Sequence, residues 1–469
     1  MPASCLRLRP VSASADKMRA EGVAEVAVDT FEQQLERLRG GERGVLAESE
    51  IEPVAELPDA DDLPDDEDGA RAALARTVVI KLNGGLGTSM GMTGPKSLLE
   101  VKDGLTFLDI TVRQILDLRA RMDAPLPLVL MNSFATRDAS LAALEAYEDL
   151  PVEGVGLDFL QSKVPKLDAD DLAPAAWPAD PSLEWAPPGH GDLYPSLLSS
   201  GMLQALLDGG YRYAFVANVD NLGAVMEPRI LAWFAREQIP FLMEVADRTA
   251  ADRKGGHLAQ RHGGGLVLRE IAQTPDEDVD AFQDTSRHRF FNTNTLWIDL
   301  RALRDVLDER DGVLGLPMIV NRKTVDPADP SSTAVLQLET AMGAAIDVFD
   351  GARAIRVPRE RVAPVKTTDD LLALRSDAYV LHDDGVLALA PERDGPGAPL
   401  VQLDPEHFKL VRDFEQRFPA GPPSLVGAER LTVRGDVAFG ADVVVRGAVT
   451  VEQEGDGRRQ IADGAVLEG

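Results

Sequence analysis

Between residues 71 and 379, short runs rich in β-branched and aliphatic residues alternate with longer stretches of helical spacing. "TVVIKL", "LPLVLMN", "YAFVANV", "PFLMEVAD", "TLWIDL" and "ARAIRV" read as strands. "LTFLDITVRQILDLRARM" and "YPSLLSSGMLQALLDGG" read as helices. Strands that take turns with helices demand crossover connections, and the fold that supplies them is an α/β domain with a mainly parallel sheet. Ligands of such sheets bind beyond the carboxyl ends of the strands, where the connecting loops emerge. The chain has 469 residues, enough for two or three domains.

The termini follow other patterns. Residues 16–39 carry apolar side chains at helical spacing and stop before Gly40-Gly41, so they read as an amphipathic helix or helix pair. Residues 48–68 hold 11 acidic residues, three prolines and no basic residue, which reads as a solvated or disordered linker, an interaction tail being the other reading. Near the other end, Leu425, Leu431, Val437, Val443 and Val449 recur every six residues, and the frame resumes at Ile461 and Leu467. Gly435, Gly440 and Gly447 fall among them. A period of six predicts a β-helix solenoid in preference to a hairpin meander, with open ends that offer an oligomerisation surface. The expected segments are 1–70, a helical piece and acidic linker; 71–385, the α/β domain; 386–420, a connector; and 421–469, the β-helix.

Charge and cysteine content exclude whole classes of function. Lys and Arg number 48 against 78 Asp and Glu, a net charge of −30 that repels nucleic acid and anionic membrane alike. The single cysteine, Cys5, rules out an internal disulfide framework and fits a reducing cytoplasm. No apolar run approaches the roughly 20 residues of a membrane span. The start "MPASCLRLRPVSASADKMRAEG" lacks the apolar core of a secretion signal, so a cytoplasmic location is expected.

Within this frame the stretch "LNGGLGTSMGMTGPKS", residues 82–97, carries the chemistry. Its glycines let the backbone lie close to a ligand directly after a strand. A dinucleotide fingerprint needs G-x-G-x-x-G; Gly85 and Gly87 fit, but Met90 takes the third place and Gly91 comes one residue late. No clear ribose-binding acid ends a second strand about 20 residues on. A Walker A loop fails at Pro95, which separates Gly94 from Lys96, has no N–H to give and disfavours helical geometry before it. What remains is a strand, a sharp turn beneath a phosphate, and Lys96 brought in on a proline-stiffened loop.

The pattern G-G-x-G-T followed by P-K resembles the signature of sugar-phosphate nucleotidylyltransferases. The longer string, with "VLMNSF", "PPGHGDLYPSL", "NVDNLGA", "KGG", "EIAQ", "FNTNTLWIDL", "QLETAMGAAI" and "VAPVKTTDDLL" in order, resembles the eukaryotic-type UTP–glucose-1-phosphate uridylyltransferase family. The C-terminal "GDVAFG…DGAVLE" is similar to that family's terminal β-helix, and the likeness runs from about residue 77 to residue 469. Met92 sits where the family often has cysteine, and the acidic stretch before Arg71 has no evident counterpart. The resemblance implies a Rossmann-like, GT-A-like domain with helices on both faces of its sheet, and a left-handed parallel β-helix.

It also implies the reaction of UTP with glucose 1-phosphate to give UDP-glucose and pyrophosphate. A phosphate monoester has a second pKa of roughly 6, so the attacking oxygen is already ionised at neutral pH and no general base is required. The needs are cations between repelling anions, and alignment. Lys96 is the first candidate and Lys366, in "PVKTTDD", the second. Mg²⁺ is the expected metal, held by Asp220 after an apolar strand, with weak binding in the absence of nucleotide. By resemblance Gly189 lies near the uracil and His190 contacts sugar or phosphate without moving a proton. Gln161 suits the uracil edge, with Leu82, Gly84 and Gly85 against base or ribose and Met131 close by. The hexose hydroxyls fall to Asn218, Gly256, Glu270, Asn292 and Asn294. The last two, spaced by two, are expected to share one face of a strand. Uridylyl transfer to N-acetylglucosamine 1-phosphate or to a broad range of hexoses is the near alternative, and a silent sugar-nucleotide sensor the distant one.

Overall fold

The computed structural model describes residues 12–249, 252–393, 397–455 and 457–469, so Cys5 and the basic start of the chain lie outside the described residues. The chain divides into two compact units. One takes in the described residues up to Asp59, with Phe159–Arg212 and Gln238–Arg356. The other is Ala60–Asp158, Tyr213–Glu237 and Val357–Gly469. The architecture is mixed α/β.

In the second unit the strand Thr77–Asn83 is buried along almost its whole length, as its run of aliphatic residues requires. It pairs in parallel with Tyr213–Asn218 on one side and Leu128–Asn132 on the other. The registers, Leu82 with Asn218 and Met131, and Asn83 with Asn132, bring three strand ends to one level. A buried polar knot finishes that edge: Asn83 Nδ2 donates to Asn132 Oδ1 at 2.7 Å and to Ser140 Oγ at 2.8 Å. The helix Phe107–Met122 starts at a capping box, Thr106 Oγ1 accepting from the Asp109 N–H and the Asp109 carboxylate from that of Thr106.

The C-terminal stretch of this unit pairs only in parallel. Leu400–Leu403 lies beside Ala428–Arg434, which lies beside Val444–Glu452, which lies beside Val466–Glu468. Val437–Phe439 runs parallel to Arg459–Ile461. Hairpins pair antiparallel, so a meander is excluded. Of the six-residue frame, Leu425, Leu431, Val437, Val443, Val449 and Ile461 are buried and Leu467 partly so.

Strand pairing within the first unit is mixed. Phe241–Asp247 runs antiparallel to Phe290–Asp299 and parallel to Arg353–Arg356. His257–Arg261 runs antiparallel to both Leu266–Arg269 and Ile51–Pro53. The residues expected to form one helix or a pair form two, Ala13–Ala20 and Glu25–Arg39. Their apolar faces (Met18, Val28, Phe31, Leu35) pack on Val164, Leu167, Met318 and Leu338.

The acidic stretch 48–68 is not the free linker its composition suggests. It contains the strand Ile51–Pro53, registered on Arg261–Ala259, and the start of the helix Glu67–Leu74. Glu48 pairs with Arg269 and Asp59 with Arg356, so fixed cations offset two of its carboxylates. Composition sees the carboxylates but not the arginines some 200 or more positions away that pair with two of them.

Candidate active site

The glycine loop leaves the Thr77–Asn83 strand and folds back on itself. Gly87 (φ +63°) opens a short 3₁₀ turn, Thr88–Met90, that Gly91 (φ +73°) closes. A Cβ on Gly87 would stand 2.9 Å from Met92 Sδ, in a backbone conformation that side chains resist. The N–H of Lys96 donates to the Gly85 carbonyl at 3.0 Å, which seals the loop at its base. Pro95 is extended, and Lys96 begins the next turn.

From there the Lys96 ammonium reaches Asp220 Oδ2 at 2.5 Å and also donates to the Val365 carbonyl. The Val365 N–H donates to the Asp220 carbonyl at 3.3 Å. Lys366 is the next residue, exposed, with its N–H held at 2.7 Å by Asp370 Oδ2 at the start of the helix Thr368–Arg375. Within this unit, then, Lys96, Asp220 and the backbone that carries Lys366 meet at the ends of parallel strands. Leu82, Met131 and Asn218 stand on the last rungs of those strands, with Gly84 and Gly85 just beyond Leu82.

Sequence reasoning passed over Asn221. Its Nδ2 donates to the Arg361 carbonyl at 3.1 Å and its Oδ1 accepts from the Ala363 N–H at 2.9 Å. It therefore splices the Asp220 turn to the loop that leads to Lys366. The signal was an asparagine directly after the candidate metal-side aspartate.

The remaining candidates belong to the first unit. Gly189 has φ +79°, and a Cβ there would sit 2.5 Å from the Thr340 carbonyl oxygen, so only glycine fits. His190 Nδ1 accepts the Met342 N–H at 3.0 Å. Burial pushes its pKa down to about 4, leaving a neutral ring whose Nε2–H is free to donate. Gln161 is tied to the same loop through its neighbour: the Ser162 N–H and hydroxyl donate to Asp192 at 2.6 and 2.5 Å. Burial pushes the Asp192 carboxyl up to about 6, against those bonds and that of Ser196.

Gly256, Glu270, Asn292 and Asn294 come together as a second set. A Cβ on Gly256 would lie 2.5 Å from the Glu270 carboxyl, and the Asn292 N–H donates to the Gly256 carbonyl at 2.9 Å. The two asparagines do not share a strand face by alternation. Pairing passes from Glu244–Thr295 directly to Val245–Asn292, which leaves Thr293 and Asn294 bulged out, and Asn294 turns left-handed at φ +56°. The bulge brings them together another way: Asn292 Nδ2 donates to Asn294 Oδ1, and the Asn294 N–H to Asn292 Oδ1, each at 3.0 Å. Among the described residues no three His, Cys, Asp or Glu side chains are grouped to hold a metal ion. No helix there is long and apolar enough to cross a membrane.

A glycine turn leaving a parallel strand, with a lysine held against an aspartate beyond the neighbouring strand's end, is the kind of place where α/β sheets bind anionic ligands. Comparison with known proteins narrows this. The sequence model of UTP–glucose-1-phosphate uridylyltransferase matches residues 28–446, a span that includes the acidic stretch. The potato (Solanum tuberosum) enzyme of that name is 44% identical over 406 residues, 86% of this chain and 83% of the relative. A crystal structure of a UDP-glucose pyrophosphorylase variant from Leishmania major, in complex with UDP-glucose, superposes with a TM-score of 0.91 at 46% identity, covering 98% of this chain and 99% of that one. The Trypanosoma brucei structure described as UDP-glucose phosphorylase gives 0.89 at 48% identity, with 97% of each chain covered. The chain belongs to the UTP–glucose-1-phosphate uridylyltransferase family.

Proposed function

We propose that the chain transfers the uridylyl group of UTP to glucose 1-phosphate. A phosphate oxygen of the sugar phosphate attacks the α-phosphorus of UTP, the bond from that phosphorus to the bridging oxygen breaks, and pyrophosphate leaves with its electron pair. The observation that carries this reading is Lys96, drawn out of the glycine loop and held between Asp220 and the Val365 carbonyl. An ammonium fixed at that place neutralises charge on the reacting phosphates without reorganising. Lys366, one residue beyond Val365, supplies a second cation from an exposed position. The neutral His190 donates a hydrogen bond to sugar or phosphate and takes no proton.

The donor set fits a magnesium ion only in part, since the Asp220 carboxylate is one protein ligand and phosphates and water must supply the rest. When bound with nucleotide, Mg²⁺ would add positive charge at the phosphates. Lys96 occupies Asp220 Oδ2 meanwhile, which keeps a lone carboxylate paired.

We assign Leu82, Gly84, Gly85, Met131, Gln161 and Gly189 to the nucleoside, and Asn218, Gly256, Glu270, Asn292 and Asn294 to the hexose. A catalytic domain over 71–385, with a GT-A-like fold, and a left-handed parallel β-helix over 421–469 are part of the same reading, supported for the latter by parallel pairing and the buried six-residue frame. Self-association through that coil and a cytoplasmic location complete it.

The deciding experiment measures pyrophosphate release with UTP or ATP as donor and glucose, galactose or N-acetylglucosamine 1-phosphate as acceptor. Preference for UTP and glucose 1-phosphate is expected. Preference for the N-acetyl sugar would replace the substrate, and background release with every pair would mean a sensor.

A further inference from the structure

The acidic stretch contributes one carboxylate that does more than decorate the surface. Glu48 Oε2 accepts from Arg269 Nη1 at 2.5 Å, while its Oε1 accepts from Arg287 Nε at 2.6 Å and lies 3.0 Å from His288 Nε2. The Glu48 N–H donates to Asp278 Oδ2 at 2.6 Å, and that same oxygen accepts Arg269 Nη2 at 3.2 Å. Arg269 is fully buried, so its charge is tolerable only because these two carboxylates face it. His288 is buried and stacks on His257, ring centres 4.0 Å apart. The bonds from Arg287, His288 and Arg269 overcome burial and hold the Glu48 carboxyl below its ordinary range.

The neighbours of these residues give the cluster its significance. Arg269 directly precedes Glu270, and His257 directly follows Gly256. His257 and Arg269 are also cross-strand partners, and His257 faces Phe291, the residue before Asn292. Each residue assigned to the hexose in this unit, Asn294 aside, is thus one position from a residue of the Glu48 cluster or its direct strand partner. Leu46 adds a second tether, its N–H donating to the Gln273 carbonyl at 2.8 Å at the end of the short turn after Glu270.

We propose that Glu48 is a positioning residue for sugar recognition, fixing Gly256, Glu270 and Asn292 through Arg269 and the His257–His288 stack. This rests on the assignment of those three residues to the hexose. The carboxylate touches no substrate; it sets the spacing of two strand ends that do.

The test compares the full-length parent with Glu48→Gln, and with Arg287→Gln, which loses one exposed bond to Glu48 and leaves buried Arg269 paired. Amide hydrogen exchange is expected to rise in Glu48→Gln across 256–261 and 266–273 while the strand 77–83 keeps its protection. The KM for glucose 1-phosphate is expected to rise about tenfold, with the KM for UTP within about twofold, and Arg287→Gln to show the same split more weakly. Unchanged exchange in those segments, or equal rises in both KM values, would overturn the proposal. Should Glu48→Gln fail to fold, Arg287→Gln decides by the same two readouts. If the parent itself prefers another sugar phosphate, the assignment of glucose fails, the split is measured with that sugar, and the exchange data still judge the role of Glu48.

Discussion

Lys96 owes its position to the residue before it. Pro95 cannot continue a helix and has no N–H, so the chain runs extended to the lysine, whose own N–H is spent on Gly85. Its ammonium is then free to bridge Asp220 and Val365. Lys96→Ala removes the fixed charge without touching the parallel strands. Its kcat is expected to fall by about 10²–10³-fold, the loss typical of one preorganised electrostatic donor, with a melting temperature close to the parent's. Initial rates and a thermal melt check both halves; a rate within a few-fold of the parent would remove Lys96 from the phosphates. His190 yields a prediction of a different kind. Its pKa is lowered from 6.5 to about 4, so the folded state favours the neutral ring. Its contribution to stability is therefore full above pH 6.5 and is lost as pH falls toward 4. Between pH 5.5 and 8 the ring does not titrate, so an acidic limb in kcat/KM near pH 6 belongs to groups other than the ring: the sugar phosphate's second ionisation, of roughly that value, and the Asp192 carboxyl, pushed up to about 6. That limb is expected to persist in His190→Gln at reduced amplitude; its disappearance would make the histidine the titrating group.

At the scale of elements, the bulge in Phe290–Asp299 decides what the two asparagines can do. Asparagine tolerates the left-handed region better than most residues, and Asn292 rewards it with two hydrogen bonds. Asn294→Val combines a branched side chain with φ +56° and deletes the amide. It is expected to cost about 1–2 kcal/mol and to raise the KM for glucose 1-phosphate well above any change for UTP. Steady-state kinetics with each substrate varied in turn reads this directly. The same bulge shows where reading the sequence runs out. Strands such as Thr77–Asn83 were legible because burial on both faces leaves an unbroken apolar run, and the six-residue frame because every sixth side chain points inward. The glycine turn and Lys96 were legible because proline and glycine impose local geometry. The face shared by Asn292 and Asn294 was misread because a bulge depends on the partner strand, Phe241–Asp247, some 50 residues earlier. The acidic stretch was misread for the same kind of reason: its countercharges, Arg269 and Arg356, are remote in sequence.

At the scale of the whole molecule, a net charge of −30 surrounds a reaction between polyanions. Two fields oppose each other. The summed surface charge repels UTP at long range, whereas Lys96 and Lys366, in the role proposed for them at the phosphates, would attract it only at short range. Screening separates the two, since the Debye length shrinks from about 30 Å at 0.01 M salt to about 8 Å at 0.15 M. Added salt thus removes the long-range repulsion first and would leave the proposed contact between lysine and phosphate largely intact. The kcat/KM for UTP is expected to rise several-fold over that range at fixed free Mg²⁺, the reverse of what an enzyme that steers its anionic substrate inward would show. Initial-rate measurements at subsaturating UTP across a KCl series test this. A fall with salt would mean that the field of the two lysines already dominates capture at a distance, and the acidic surface would then serve solubility alone.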